Sequence, residues 1–139
     1  MSVEEQNLAV VKRFYELFAA GNVDECTKLF SDDFILHEPD GLPYGGKYRG
    51  KRGVLDIANR FLSTWATHSV EVVQLATGGD HVMSRAQLSG SHAKTGRSWS
   101  MPIIEDFRMN NGVIVEMTIF YFDACRVSWA ADYTPQYGT

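Results

Sequence analysis

Residues 97–122 read RSWSMPIIEDFRMNNGVIVEMTIFYF, and their alternation decides the fold. In the first strand of this stretch, about 97–109, one phase is Trp99, Met101, Ile103, Glu105, Phe107 and Met109. The other phase is Ser98, Ser100, Pro102, Ile104, Asp106 and Arg108. A period of two with one apolar face marks a half-buried strand. Asn110-Asn111-Gly112 is hairpin chemistry, and a second strand, about 113–122, returns with Met117, Ile119 and Tyr121 on the inward phase. Glu105 therefore faces an apolar interior while Asp106 faces out.

Working outward, two further strands precede this hairpin, about 70–77 and 81–90, punctuated by Gly78-Gly79-Asp80 and by the turn from Gly90 to Gly96. The N-terminal half is helical. Residues 4–20 carry Leu8, Val11, Tyr15 and Phe18 at helical spacing, widened by Val10, Phe14 and Leu17, behind Ser2, Glu4 and Glu5 at the start. A short helix at about 23–30 places Val23, Cys26, Leu29 and Phe30 on one side. Phe34 to Glu38 reads as a strand closed by Pro39, and the glycine-rich stretch to Gly53 reads as a structured loop. A third helix, about 53–67, buries Leu55, Ala58, Phe61, Leu62 and Trp65. Asp123 suits the cap of a short terminal helix reaching about Ala131. The expected class is α+β, with three helices packed in a curved antiparallel sheet that encloses a conical space.

Composition bounds the function. The chain has 139 residues, 45% apolar and 22% charged, with a net charge of -4, which suits one globular domain and excludes a nucleic-acid partner. No apolar run is long enough for a membrane span. Cys26 and Cys125 form neither a metal spacing nor a disulfide framework, so reduced thiols in a cytoplasm are expected. His68, His81 and His92 fall at a helix end and in turns, with no ligand spacing, so no metal is expected. No glycine motif for a nucleotide, and hence no cofactor, is indicated, and no nucleophile elbow is present.

What remains is carboxylate chemistry. Burying Glu105 costs several kcal/mol unless it is neutralised, hydrogen-bonded or paired, for example with Arg85. In the strand at 34–38, Phe34, Leu36 and Glu38 share one face, and Ile35 and His37 the other. With the phenylalanine face inward, Glu38 sits at the cavity mouth, and a bulge before Pro39 would substitute His37. The candidate catalytic residues are therefore Glu38, Glu105 and His37. The candidate substrate-binding wall draws Phe14, Tyr15 and Phe18 from the first helix, then Phe34, Phe61 and Trp65. The sheet adds Trp99, Met101, Ile103, Phe107, Met117, Ile119 and Tyr121.

The stretches VVKRFYELFAAGNVDE, LFSDDFILHEPDG, GLPYGGKYRG and PIIEDFRMNNGVIVEM resemble those of the nuclear-transport-factor-2-like superfamily, which holds ketosteroid isomerases and SnoaL-type polyketide cyclases. The resemblance runs from Val10 to about Asp123. It implies a cone-shaped α+β barrel, ketosteroid isomerase-like, as one SnoaL-like domain over 1–139. By likeness to ketosteroid isomerase, Glu38 falls at the general-base position and Glu105 at that of the neutral acid. Phe14 stands where the isomerase has its oxyanion tyrosine, and Tyr15 points about 100° away on a helix. Tyr15 or Tyr121 would have to supply that hydroxyl.

The function this implies is cofactor-independent acid–base catalysis, of isomerase, cyclase or hydrolase type, on a small hydrophobic carbonyl compound. Glu38 at the wetter mouth would be the ionised base and Glu105 the neutral donor. The alternatives are a non-catalytic binder of a small hydrophobic ligand and an interaction module with a vestigial pocket. A homodimer is expected through the outer sheet face, where Val73, Ile104, Ile114, Phe120 and Phe122 are too apolar for a wet surface.

Overall fold

A computed structural model describes residues 1–137. Along them run α1 (Val3–Ala19), α2 (Val23–Thr27), β1 (Phe30–Glu38), β2 (Gly46–Arg49) and α3 (Gly50–Thr64). The strands β3 (Thr67–Gly78), β4 (His81–Ser91), β5 (Ser98–Asn110) and β6 (Val113–Tyr121) follow, and α4 (Ala124–Ala130) closes the order. Local chemistry sets the helix starts. Ser2 Oγ accepts from the Glu5 N–H at 3.1 Å, and Asp123 Oδ1 accepts from Arg126 N–H at 3.2 Å. Each satisfies a backbone donor that the helix itself leaves free. Among the described residues no helix is long and apolar enough to cross a membrane.

The six strands form one sheet in the order β2-β1-β6-β5-β4-β3. The α+β class and the curved sheet are as expected, with two differences. One pairing is parallel: Leu36 of β1 lies beside Met117 of β6. Parallel neighbours need a long crossover, and here α3 and the meander supply it. The other difference is β2, four residues inside the stretch read as loop, whose Gly46 pairs with Glu38. The N-terminal elements also shift. Phe30 opens β1 rather than ending α2, and α3 runs three residues earlier than expected, leaving Leu62 41% exposed and Trp65 just past its end.

The register of β5 is the expected one: Trp99, Met101, Ile103, Glu105 and Phe107 are buried, and the intervening positions are not. In β6 a bulge changes the phase. Arg108 pairs with Glu116 but Met109 pairs with Ile114, so Val115 is the extra residue. Ile114, expected on the outer face, is consequently 0% exposed. The hairpin before it is tight because Asn111 (φ 49°) and Gly112 (φ 80°) are both left-handed, the requirement of a type I′ turn.

Two apolar clusters fill the curve of the sheet. One gathers Val11, Leu17, Phe30, Phe34, Leu36 and Phe107 around α1. The other holds Tyr44, Phe61, Trp65, Trp99 and Met101 together with Val127 and Ala130 of α4.

Candidate active site

Glu38 ends β1 in the inward phase set by Phe34 and Leu36. It is 6% exposed, and its Oε1 has no hydrogen-bond partner. His37 occupies the other face: its Nε2 lies 2.8 Å from Glu116 Oε2, while Arg108 Nε donates to Glu116 Oε1 at 3.1 Å. No bulge exchanges the two residues, and His37 is not brought into the site. Glu105, 8% exposed, projects from β5 toward α1, where the Tyr15 hydroxyl donates to its Oε1 at 2.6 Å. Arg85 is exposed on the opposite face of β4, so the alternative of an arginine pair is not realised.

Both carboxyls line one cavity of about 100 Å³. Of the expected wall, Phe14, Tyr15, Phe18, Phe34, Phe61, Ile103, Met117, Ile119 and Tyr121 line it. Trp65, Trp99, Met101 and Phe107 do not. The two indoles stack edge to face at 5.3 Å in the cluster beneath α4, joined there by Met101. Phe107 is wholly buried against Phe14 and Tyr15. Alternation put Trp99, Met101 and Phe107 on the inner side of the sheet, and helical spacing put Trp65 on the buried stripe of the third helix, but the inner side is longer than the cavity and the rest of it is solid core. The sequence reading missed Val54, Ile57 and Ala58, whose spacing with Phe61 is that of one helix face. It also missed Val70 and Leu88, partners across β3 and β4, and Val23, Cys26, Phe30 and Leu36.

Trp65 acts at one remove. Its Nε1 donates to the Tyr44 hydroxyl at 3.1 Å, and that hydroxyl lies 3.3 Å from the hydroxyl of Tyr121. Tyr48 donates to the Tyr44 carbonyl at 2.7 Å, and Arg60 donates to the Tyr48 hydroxyl at 2.6 Å. Tyr121 is thus fixed in the wall by a relay that no sequence period announces.

Electrostatics reverse the expected division of labour. Burial pushes Glu105 up to about 7, and the Tyr15 hydrogen bond restrains the rise because it stabilises the charged form. Burial pushes Glu38 well above the usual carboxylate range, and the charge of Glu105 pushes it further. The expected wet mouth at Glu38 does not exist. Burial and the charge of Glu105 favour the neutral form of Glu38, while the Tyr15 hydroxyl favours the charged form of Glu105. Burial also raises Tyr15 and Tyr121, so both remain phenols across the ordinary pH range. The arrangement offers an acid, a base and a hydroxyl in one apolar enclosure. Among the described residues no cluster of His, Cys, Asp or Glu is placed to hold a metal ion.

The profile of the SnoaL-like domain family matches residues 11–117. No curated protein matches the chain by sequence. Solved structures do match in shape. An NTF2-like protein of unknown function from Burkholderia pseudomallei superposes with a TM-score of 0.84 at 20% identity, covering 94% of this chain and 98% of that one. A protein provisionally named a SnoaL-like polyketide cyclase, from Jannaschia, gives 0.80 at 20% identity and covers 97% of each chain. A protein of ketosteroid isomerase-like fold from Catenulispora acidiphila, solved in complex with trimethylamine, gives 0.75 at 18% identity, covering 91% of this chain and 97% of its own. At these identities the likeness is one of fold.

Proposed function

The chain belongs to the SnoaL-like domain family, and from that premise we propose that its cavity carries out cofactor-independent acid–base catalysis on a small apolar carbonyl compound. One observation carries the proposal: Glu38 and Glu105 are both buried in a single apolar cavity, in environments that separate their proton affinities. Two carboxyls so separated can hold opposite protonation states at one pH. Glu105 is the base and takes a proton from the carbon beside the carbonyl. Glu38, protonated, donates to the carbonyl oxygen as negative charge develops there, and Tyr121, which lines the same cavity, adds its hydroxyl. Returning the proton from Glu105 to a different carbon completes an isomerisation; attack of the same nucleophilic carbon on a second carbonyl, whose oxygen takes the proton back from Glu105, completes a ring closure.

Cavity size narrows the substrate. An apolar cavity of about 150 Å³ takes up benzene, so about 100 Å³ suits a single small ring rather than a fused-ring skeleton. The reaction class can be tested without the natural substrate, by following exchange of the α-protons of cyclopentanone in deuterated water by NMR. Exchange above the buffer rate should rise with pH through about 7, as Glu105 ionises. Glu105→Gln should lower it about 10²–10⁴-fold, the usual share of a general base. No exchange above buffer at any pH would refute the catalytic proposal.

The second reading is binding without turnover. A fold-mate solved with trimethylamine supports it, as an instance of this fold with a small organic molecule bound. We also propose a homodimer through the outer sheet face, supported by the exposure of Val73, Ile104, Phe120 and Phe122.

A further inference from the structure

We infer that the cavity also binds a small apolar ammonium ion, its charge seated at Glu38 and Glu105 and its hydrocarbon against the aromatic wall. The inference rests on the cavity's being a ligand site, which the catalytic and binding readings share, and not on turnover.

The charges facing the cavity are of one sign. Glu38 comes from β1 and Glu105 from β5. The other titratable groups on the wall are neutral: the phenols of Tyr15 on α1 and Tyr121 on β6, and the thiol of Cys26 on α2. The α3, β3 and β4 elements present apolar side chains such as Ile57, Val70 and Leu88. Behind the wall stand the phenols of Tyr44 and Tyr48, both raised by burial first and further by the charge of Glu38. Among the described residues no Lys, Arg or His lines the cavity: Arg60 is engaged with Tyr48 and the Pro43 carbonyl, and His37 faces out toward Glu116.

A site that only binds a neutral ligand by hydrogen bonds needs one acid, and a second buried acid then adds desolvation cost. An anionic ligand meets repulsion as soon as either carboxyl ionises. An ammonium ion gains from both. It donates to the unpartnered Glu38 Oε1, supplies the counter-charge that the wall lacks, and lies among aromatic rings whose faces attract cations. Docking lets a carboxyl ionise, and the displaced proton leaves to solvent, so binding strengthens with pH.

The test is isothermal titration calorimetry of the intact chain with cyclopentylamine, cationic at the pH used, and with its neutral analogue cyclopentanol. At pH 8 the amine should bind at least about tenfold more tightly than the alcohol. Its affinity should fall about tenfold between pH 8 and pH 6, following a carboxyl that titrates near 7, while that of the alcohol should not change. Proton release should make the heat depend on the buffer's ionisation enthalpy. Glu105→Gln should remove the pH dependence and at least most of the preference for the amine; should that variant fail to fold, the pH arm on the natural chain decides. Equal affinity, a pH-independent amine affinity, or binding of neither probe would overturn the inference. The cyclopentanone exchange reports on catalysis separately, so either idea can fail alone.

Discussion

Burial raises both carboxyls, and the Tyr15 hydroxyl sets them apart, because it donates to Glu105 while among the described residues nothing donates to Glu38 Oε1. Tyr15→Phe should therefore move the Glu105 titration above about 7, measured by carbon-detected NMR of the carboxyl. Loss of a hydrogen bond to a buried charged group should also cost about 1–3 kcal/mol of stability. An unmoved titration would mean that the bond is not formed in solution. A second expectation concerns stability against pH. Folding lifts Glu105 from an ordinary 4.5 to about 7, so as pH rises the unfolded chain ionises before the folded one does. The contribution is fully present below about 4.5, declines through the interval, and levels off above about 7, a loss on the order of 3 kcal/mol at ~1.4 kcal/mol per unit. Urea denaturation of the natural chain and Glu105→Gln at pH 4.5 and 8 should show the variant losing less by about that amount; parallel losses would refute it. Alternation made Glu105 legible, and at the end of β1 it left Glu38 with His37 as the alternative. The order of ionisation of the two carboxyls was not legible, because it depends on a contact between residues ninety positions apart.

At the scale of elements, the long strands were legible because each repeats its period many times, and the short or irregular ones were not. Four residues of β2 among glycines and prolines carry too few alternations to reveal a strand. The Val115 bulge is invisible because a single inserted residue inverts the phase without altering composition, and Ile114 was misplaced for that reason. The β1–β2 turn is tightly specified nonetheless. A Cβ at Gly45 would lie 2.3 Å from the Pro39 carbonyl oxygen, closer than any real contact allows. Gly45→Ala should force the turn apart and, through the Gly46–Glu38 pair, displace the carboxyl at the end of β1. The expected cost is about 1–3 kcal/mol, the usual range for overpacking. Thermal unfolding should show it, and a variant as stable as the natural chain would mean that the turn adapts freely.

For the whole molecule, the outer sheet face bears on assembly. Phe120 is 56% and Phe122 80% exposed, beside charged groups such as Arg108 and Glu116 that share the same face. Sedimentation velocity at micromolar concentration should find a dimer, and Phe120→Glu should convert it to a monomer without unfolding it, since the side chain is at the surface. A monomeric natural chain would remove this expectation. The parallel pairing of β1 with β6 has a different consequence, one of order in time. The β3–β4 and β4–β5 hairpins join neighbours in sequence and can close as soon as they are synthesised. The first strand can pair early with β2, but that pair joins the other four strands only once the last one is made, and contacts between such distant segments form slowly. The strand that carries Glu38 is thus the late arrival, and the enclosure around the two carboxyls is completed only near the end of folding.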